Sequence, residues 1–486
     1  MIYKLRPYQE ECVKSISDYI NSDRHDPVLI VGPVGCGKSL LIAEAARLMG
    51  DKTLILQPSK ELLQQNHNKI TSYGIPATIY SASCGKKELS NMIYATLGSI
   101  KKVVGQLKEM GIRNVLIDEA HAGYSPEDGS EFMTFMNELK PKKVIGFTAT
   151  PCRLKTMSIG QVSYSQLNFI TRMRPVYFKN LIHVIQVEEM IRQGFWTPLK
   201  YEIWDFNGDA LKLNSNGSEY TAESISEAVR KNGLNNLILR RLMVLKDVCR
   251  SILVFMDSVE SCNTAAEWMN AKICAGMAEV VHGGTPKKQR EAIVEGFKSG
   301  KTKVVFNYSA LGTGFDHPGL DCVIVGRPTF SFSSFYQWLG RAVRIKDGKD
   351  SALVVDCCNN SSRFGDIRKL SIENYKGYGW GMFIGDKLIT NIPMGDKVTK
   401  TDLDIKAAKK DRRRGLAQGV TAAPVPGRPD HPLGSTVMTF GKYCGWMFHS
   451  IPVSYFKFIN ETFDWSNDRN REIKEYIDFL IKNNRL

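Results

Sequence analysis

The chain has 486 residues, enough for roughly three domains of about 150 residues each. With 43% hydrophobic and 24% charged residues it excludes wholesale disorder, and no run approaches the ~18 apolar residues of a membrane-spanning helix. Lys and Arg outnumber Asp and Glu by 65 to 50, a net charge of +15 that favours a polyanionic partner such as nucleic acid, an anionic membrane surface being the alternative on charge alone.

The opening residues, Met1 to Pro7, lack the apolar core of a secretory signal, so a cytoplasmic protein is expected. The 11 cysteines are scattered singly apart from Cys357 and Cys358, and none forms a C-x-x-C pair. That usage fits reduced thiols and predicts neither a zinc ribbon nor any other structural metal.

From the N-terminus, short apolar runs predict strands at 28–31, 53–56, 114–117 and 143–147. Between the first two, Leu40, Leu41, Ala45 and Leu48 share one face of a predicted helix over 39–49. Strands alternating with helices imply a parallel sheet covered on both faces. The texture returns at 251–256, 304–306, 322–325 and 352–355. The expected fold is therefore α/β, with two lobes, each a parallel sheet with helices on both faces, plus a small C-terminal module. The predicted divisions are a first lobe over 1–155, a connector with a polar excursion over 156–235, and a second lobe over 236–375. A basic and Pro-rich linker over 376–430 and the module over 431–486 complete the chain.

Gly32-Pro-Val-Gly35-Cys-Gly37-Lys38-Ser39 fits G-x-x-x-x-G-K-[ST] between a predicted strand and a predicted helix. Glycines there let backbone N–H groups converge on phosphate oxygens at a helix N-terminus. Lys38 then faces the β and γ phosphates of ATP, and the Ser39 hydroxyl becomes a Mg²⁺ ligand. Asp118-Glu119-Ala-His121 closes an apolar strand, where an α/β sheet presents its chemistry. Asp118 is expected in the Mg²⁺ shell, and Glu119 is expected to polarise the attacking water. In Gln337-Trp-Leu-Gly340-Arg341-Ala-Val-Arg344, helical spacing would put both guanidinium groups on one face. Acting across a cleft, they would stabilise charge developing on the γ-phosphate.

In this order the three pieces resemble superfamily 2 helicases of the DEAH-box kind, and further motifs carry the resemblance over about residues 1–360. Leu5-Arg6-Pro-Tyr-Gln9 is similar to the adenine-reading segment, which implies nucleotide contacts by Arg6 and Gln9. Ser59 and Lys60, within Gln57 to Leu62, and Thr96 and Ser99, within Tyr94 to Ser99, resemble strand-binding motifs. Thr148-Ala-Thr150-Pro resembles the motif that links hydrolysis to strand movement. Phe255, within Val254 to Ser258, and His282, heading His282-Gly-Gly-Thr285, match motifs that face nucleic acid. Asn307 through Asp316 matches the motif touching both ligands, which implies a strand contact for Thr313 and nucleotide contacts for Gly314 and Asp316. Gln337 with Arg341 and Arg344 completes the catalytic set.

The wording of the motifs looks most like the RadD-type branch, near UvsW-like and XPB-like DNA helicases and restriction-enzyme motor subunits. That resemblance implies work on single-stranded or branched DNA in repair, recombination or replication. The chain departs from the branch in having no cysteine-rich C-terminal element, and its length suits a phage-encoded or stripped-down relative. The tail around Phe440-Gly-Lys442-Tyr443-Cys-Gly-Trp446 reads as a hairpin similar to small F-G-K-Y-x-G modules at the ends of some exonuclease-like proteins. Its Lys442, Tyr443 and Trp446 form either a stacking and phosphate-contacting face or the packing of a mini-core. An RNA helicase, and an ATP-gated nucleic-acid clamp that separates no strands, are the alternatives to a DNA helicase or translocase.

Overall fold

The computed structural model describes residues 4–50, 52–159, 162–311, 315, 317–376, 378–407, 432–436, 438, 443, 447–451, 453–462 and 471–483. They divide into two compact units, Met1–Tyr375 with Gly379–Val398, and Lys376–Tyr378 with Thr399–Leu486. Among the described residues no helix is long and apolar enough to cross a membrane.

The larger unit is built on two sheets. The first contains β1 (Val28–Val31), β2 (Thr53–Leu56), β3 (Thr78–Ser81), β4 (Lys86–Lys87), β5 (Met92–Ala95), β6 (Asn114–Ile117) and β7 (Lys143–Thr148). A hairpin of β8 (Cys152–Ile159) and β9 (Val162–Phe169) comes next, and β10 (Asn180–Val184) returns to the first sheet, giving the order β10-β1-β7-β6-β2-β5-β3-β4. Every pairing in it is parallel except β3 with β4. The central strands β1, β2, β5, β6 and β7 are buried along their whole length, which is why they read as continuous apolar runs rather than alternating ones.

The second sheet contains β11 (Leu199–Ile203), β12 (Ile252–Phe255), β13 (Ala278–His282), β14 (Val304–Tyr308), β15 (Cys322–Val325) and β16 (Ala352–Asp356). Its order is β11-β16-β15-β12-β14-β13, and all its pairings are parallel. The two lobes thus have the expected class, and β1, β2, β6 and β15 span the predicted intervals.

Two intervals differ from the sequence reading. Residues 156–235 do not form a separate connector, because β10 pairs with β1 in the first lobe and β11 pairs with β16 in the second. Both are edge strands with half-buried residues, so neither carries the continuous apolar run that marked the central strands. Residues 379–398 belong to the larger unit, where β17 (Leu370–Tyr375), β18 (Gly379–Ile384) and β19 (Lys387–Leu388) form antiparallel pairs. Backbone bonds from Asn391 to Leu167 (2.6 Å) and from Met394 to Ser165 (2.8 Å) fasten the chain beyond β19 to the β8–β9 hairpin.

In the smaller unit, helices Val453–Thr462 and Arg471–Lys482 enclose Phe456, Ile459, Ile473, Tyr476 and Leu480 together with Phe448. Tyr443 packs edge-on against Tyr455 at 4.7 Å, in keeping with a mini-core. Lys442 and Trp446, and the basic run from Lys409 onward, lie outside the described residues.

A buried lysine ties the first helix, Pro7–Asn21, to the sheet. Lys143 Nζ donates to the carbonyls of Tyr19 (2.9 Å), Ser22 (2.7 Å) and Arg24 (2.6 Å), adding to the Ser22 hydroxyl, which caps Tyr19 at 2.8 Å, at the helix end. Lys143→Met keeps the stem but leaves those acceptors without the ammonium. It is expected to destabilise the larger unit by about 1–3 kcal/mol, read as a lower midpoint in urea unfolding.

Candidate nucleotide site in the cleft between the lobes

The turn from β1 into helix Lys38–Met49 is shaped by glycine. Gly35 and Gly37 have φ of 83° and 85°, and a Cβ on Gly37 would stand 2.5 Å from Gln9 Nε2. Only glycine permits both the left-handed backbone and that approach. The turn's Cys36 carbonyl accepts from Gln9 Nε2 (2.9 Å) and from the Tyr8 hydroxyl (3.1 Å). Arg6 N–H donates to Gln9 Oε1 at 3.0 Å, so the Gln9 amide is oriented by one bond at each end and keeps capacity at both. The Arg6 guanidinium lies 4.6 Å over the ring of Phe195.

Asp118 and Glu119 come directly after β6. Asp118 is 4% exposed, accepts from Asn66 Nδ2 (2.8 Å) and from the Glu119 N–H (2.9 Å). Burial, and then the neighbouring Glu119 charge, push its pKa up to about 7. Glu119 occupies a strained left-handed conformation, φ 46°. Its Oε1 is 3.0 Å from Lys38 Nζ. Burial would raise its pKa, but the charges around it, Lys38 foremost and Arg341 among them, hold it below the ordinary range. His121 Nδ1 is 2.8 Å from the Thr148 hydroxyl. Burial lowers its pKa to about 4, so His121 is neutral at neutral pH.

The residues fit a divalent cation. The Asp118 carboxyl is raised because it is buried beside an anion, and Glu119 Oε2 is buried without a hydrogen-bond partner. A cation near Asp118 and Ser39 would relieve the first strain.

From the second lobe, Gly340 approaches so closely that a Cβ on it would stand 2.4 Å from Val34 Cγ2. The preceding helix, Phe332–Leu339, ends there. Arg341 and Arg344 therefore lie beyond it, which corrects the expectation that they share a helix face; past Leu339 the backbone makes only turn bonds, from the Arg341 N–H to the Trp338 carbonyl (3.2 Å) and from the Ala342 N–H to the Leu339 carbonyl (3.0 Å). Both nevertheless line the cleft. Arg341 Nη1 donates to the Phe315 carbonyl at 2.6 Å. Burial lowers both guanidinium pKa values to about 10, leaving both charged at neutral pH.

The resulting cleft, about 540 Å³, is lined by Arg6, Gln9, Gly35, Gly37, Lys38, Ser39, Asp118, Glu119, Gln337, Arg341 and Arg344. Four segments that are distant in sequence thus meet around one volume. Gly314 and Asp316, expected at the nucleotide, and Thr313 lie outside the described residues.

The residues expected at nucleic acid are placed elsewhere. Ser59 caps helix Lys60–Ser72, its hydroxyl accepting from the Leu62 N–H, and Lys60 opens that helix. Thr96 and Ser99 bond to each other (3.1 Å), to Ser81 and to the Ala82 N–H. His282 lies at the end of β13 and lines a separate cavity of about 240 Å³. Phe255 is 2% exposed and stacks on Trp338 at 5.0 Å. Its ring faces the core, so the nucleic-acid contact that the motif implied for Phe255 is corrected: as the last residue of β12, in the middle of the second sheet, it is covered by the helix that carries Trp338.

Three cleft-side residues were not foreseen. Phe195 lines the cleft, Trp196 Nε1 donates to the Val34 carbonyl (2.7 Å), and Thr197 bonds to the arginine segment. Their only signal was a Phe-Trp pair in a stretch that lacked any motif. Across the lobes, the Thr150 and Ser333 hydroxyls are 2.6 Å apart.

Family comparisons agree with this arrangement. Residues 2–153 match the type III restriction enzyme res subunit family, and residues 235–346 match the helicase conserved C-terminal domain. The chain is 25% identical over 332 residues to a 51.5 kDa protein of a Lactococcus phage, covering 68% of this chain and 65% of that one. It is 23% identical over 384 residues to the DNA 3'-5' translocase XPB2 of Sulfurisphaera tokodaii, covering 72% of this chain and 81% of that one. Among solved structures, a fragment of a type I restriction enzyme HsdR subunit from Vibrio vulnificus superposes with a TM-score of 0.55 at 17% identity. That match covers 75% of this chain and 66% of the fragment, and it shows the shared fold. For several curated relatives, the phage protein included, the chain spans only 38–65% of their length. With both family domains present in order around a shared cleft, the chain belongs to the superfamily 2 helicases.

Proposed function

We propose that the chain is an ATP-driven DNA helicase or translocase that hydrolyses ATP in the cleft between its lobes. The observation that carries this reading is the convergence of Lys38, Glu119 and Arg341, from three distant segments and both lobes, on one volume. Lys38 faces the β and γ phosphates, releasing Glu119, which then orients the attacking water. Arg341, with Arg344 beside it, reaches the γ-phosphate from the second lobe and steadies the charge that develops there. Gln9 and Arg6 hold the base. Ser39 and Asp118 hold Mg²⁺, which when bound neutralises phosphate charge. Gln337 lines the same cleft and completes the second-lobe contribution.

The net charge of +15 suits either nucleic acid, and DNA is favoured over RNA by the DNA translocase named among the relatives. Single strands or branched junctions are the proposed substrates, with repair, recombination or replication as the setting. Ser59, Lys60, Thr96, Ser99, His282 and Thr313 are the proposed strand contacts. Strand-displacement and ATPase assays on single-stranded DNA, duplex, fork, Holliday junction and RNA test the reading. ATPase without displacement on any substrate would favour an ATP-gated clamp instead.

Glu119→Gln is expected to bind ATP yet hydrolyse it at least about 100-fold more slowly, and Arg341→Ala about 1000-fold more slowly; steady-state phosphate release measures both. Wild-type turnover by Glu119→Gln would remove it as the water-orienting group.

Asp118 gives a pH signature. Its folded pKa of about 7 lies above its ordinary value. The stability it contributes is therefore present below about pH 4 and is lost as pH rises through about 7. In nucleotide-free, Mg²⁺-free protein, Asp118→Asn should gain in melting temperature over wild type between about pH 5.5 and about pH 8.5. A pH-independent difference would show that Asp118 does not titrate there.

Strand binding should be backbone-directed and salt-sensitive. Affinity for mixed-sequence single-stranded DNA is expected to fall at least about ten-fold between roughly 50 and 200 mM salt. Fluorescence anisotropy reads the slope, and a flat profile would contradict an electrostatic strand path.

A further inference from the structure

The segment bearing Arg341 and Arg344 has left its helix, so its carbonyls enter no helical ladder. Three successive carbonyls are nevertheless all taken, and by two residues. The Thr197 N–H donates to the Val343 carbonyl (2.8 Å) and the Thr197 hydroxyl to the Arg344 carbonyl (2.7 Å). Lys349 Nζ donates to the carbonyls of Ala342 (2.7 Å) and Arg344 (2.8 Å), and to that of Pro318 at 3.2 Å. Pro318 is three residues after Phe315, whose carbonyl accepts from Arg341 itself.

Thr197 is 2% exposed, and the residue before it, Trp196, is equally buried. Trp196 holds the Val34 carbonyl of the phosphate-site turn. A Cβ on Gly35 would stand 3.5 Å from both Trp196 Nε1 and Val343 Cγ2. Adjacent residues, with Cα atoms about 3.8 Å apart, therefore grip the turn on one side and the arginine segment on the other. Sliding one past the other must break one of these bonds.

We propose that Thr197 and Lys349 are positioning residues that set how far Arg341 and Arg344 reach into the cleft, and that Trp196–Thr197 is the strut fixing that reach against the phosphate-site turn. The inference rests on the reading that the cleft hydrolyses ATP with Arg341. Neither residue touches the reacting atoms; each acts through the backbone that carries the guanidinium groups.

Thr197→Val keeps the shape and the backbone N–H but removes the hydroxyl. On the full-length protein, kcat for ATP is expected to fall about 10- to 100-fold, with KM changed less than about two-fold and the melting temperature close to wild type. Thr197→Ser restores the hydroxyl and should recover kcat. Lys349→Gln should show the same split between kcat and KM. In an Arg341→Ala background, Thr197→Val should lower kcat by a smaller factor than in the wild type, since the part of its effect that acts through Arg341 is gone and only the part through Arg344 is left. Wild-type kcat in Thr197→Val, equal losses in the Val and Ser variants, or an undiminished loss in the Arg341→Ala background would each overturn the proposal. If Arg341→Ala alone hydrolysed ATP at the wild-type rate, the reading of the cleft would fail first and take this inference with it. An inactive Arg341→Ala beside an unimpaired Thr197→Val would sink the positioning role alone.

Discussion

A turn that bends through left-handed glycines leaves some of its carbonyls to be satisfied from outside. Between Gly32 and Gly37 the chain bends through two residues of positive φ, and the carbonyls of Val34 and Cys36 turn away from any ladder. Leaving a buried acceptor unpaired costs about 1–3 kcal/mol. Side chains from two other segments supply the donors: Tyr8 and Gln9 from the first helix, and Trp196 from the approach to β11. Satisfying those two carbonyls therefore brings the first helix and the start of the second sheet to the turn. Arg6 and Phe195 arrive beside the cleft as neighbours of the donors.

The cleft is net positive, with Lys4, Arg6, Lys38, Lys69, Arg341 and Arg344 lining it against Asp118 and Glu119. Lys38 pairs with Glu119 at 3.0 Å, and Arg341 also acts on that carboxylate. Asp118, one residue away, also feels Lys38, but its burial and the Glu119 charge outweigh that attraction and leave its pKa raised. Under the proposed reading, Lys38 turns from Glu119 to phosphate and Glu119 is freed for water, while Asp118 with Ser39 would hold Mg²⁺, which would neutralise phosphate charge. Two adjacent carboxylates with pKa values pushed apart are thus suited to two different tasks.

Contact between the lobes is dense around the same point. Gly340 meets Val34 with no space for a Cβ, and the Thr150 and Ser333 hydroxyls bond across the lobes. With Thr197 on the arginine segment, these contacts make the distance from the phosphate-site turn to Arg341 a property of a few short bonds. Small shifts of the second lobe would be felt at the cleft, because packed groups have little freedom to deform continuously.

Much was determined by the sequence alone. Strands buried on both faces must be continuous apolar runs, so β1, β2, β6 and β15 were legible to the residue. The phosphate-site turn was legible because glycine spacing and Lys38-Ser39 leave few other readings. The edge strands β10 and β11 were not, since a half-buried strand carries a diluted pattern. Helical spacing misled at Arg341 and Arg344, because periodicity does not register the close approach of Gly340 to Val34 that accompanies the helix end. Phe255 likewise sat in a motif that implies a nucleic-acid contact, while it is covered by Trp338, 83 residues later. Only the tertiary structure could decide these points, and with them the roles of Trp196, Thr197 and Lys349. Their work is to donate to carbonyls, and a backbone carbonyl is the same in every residue, so nothing in the sequence marks which one a donor will meet.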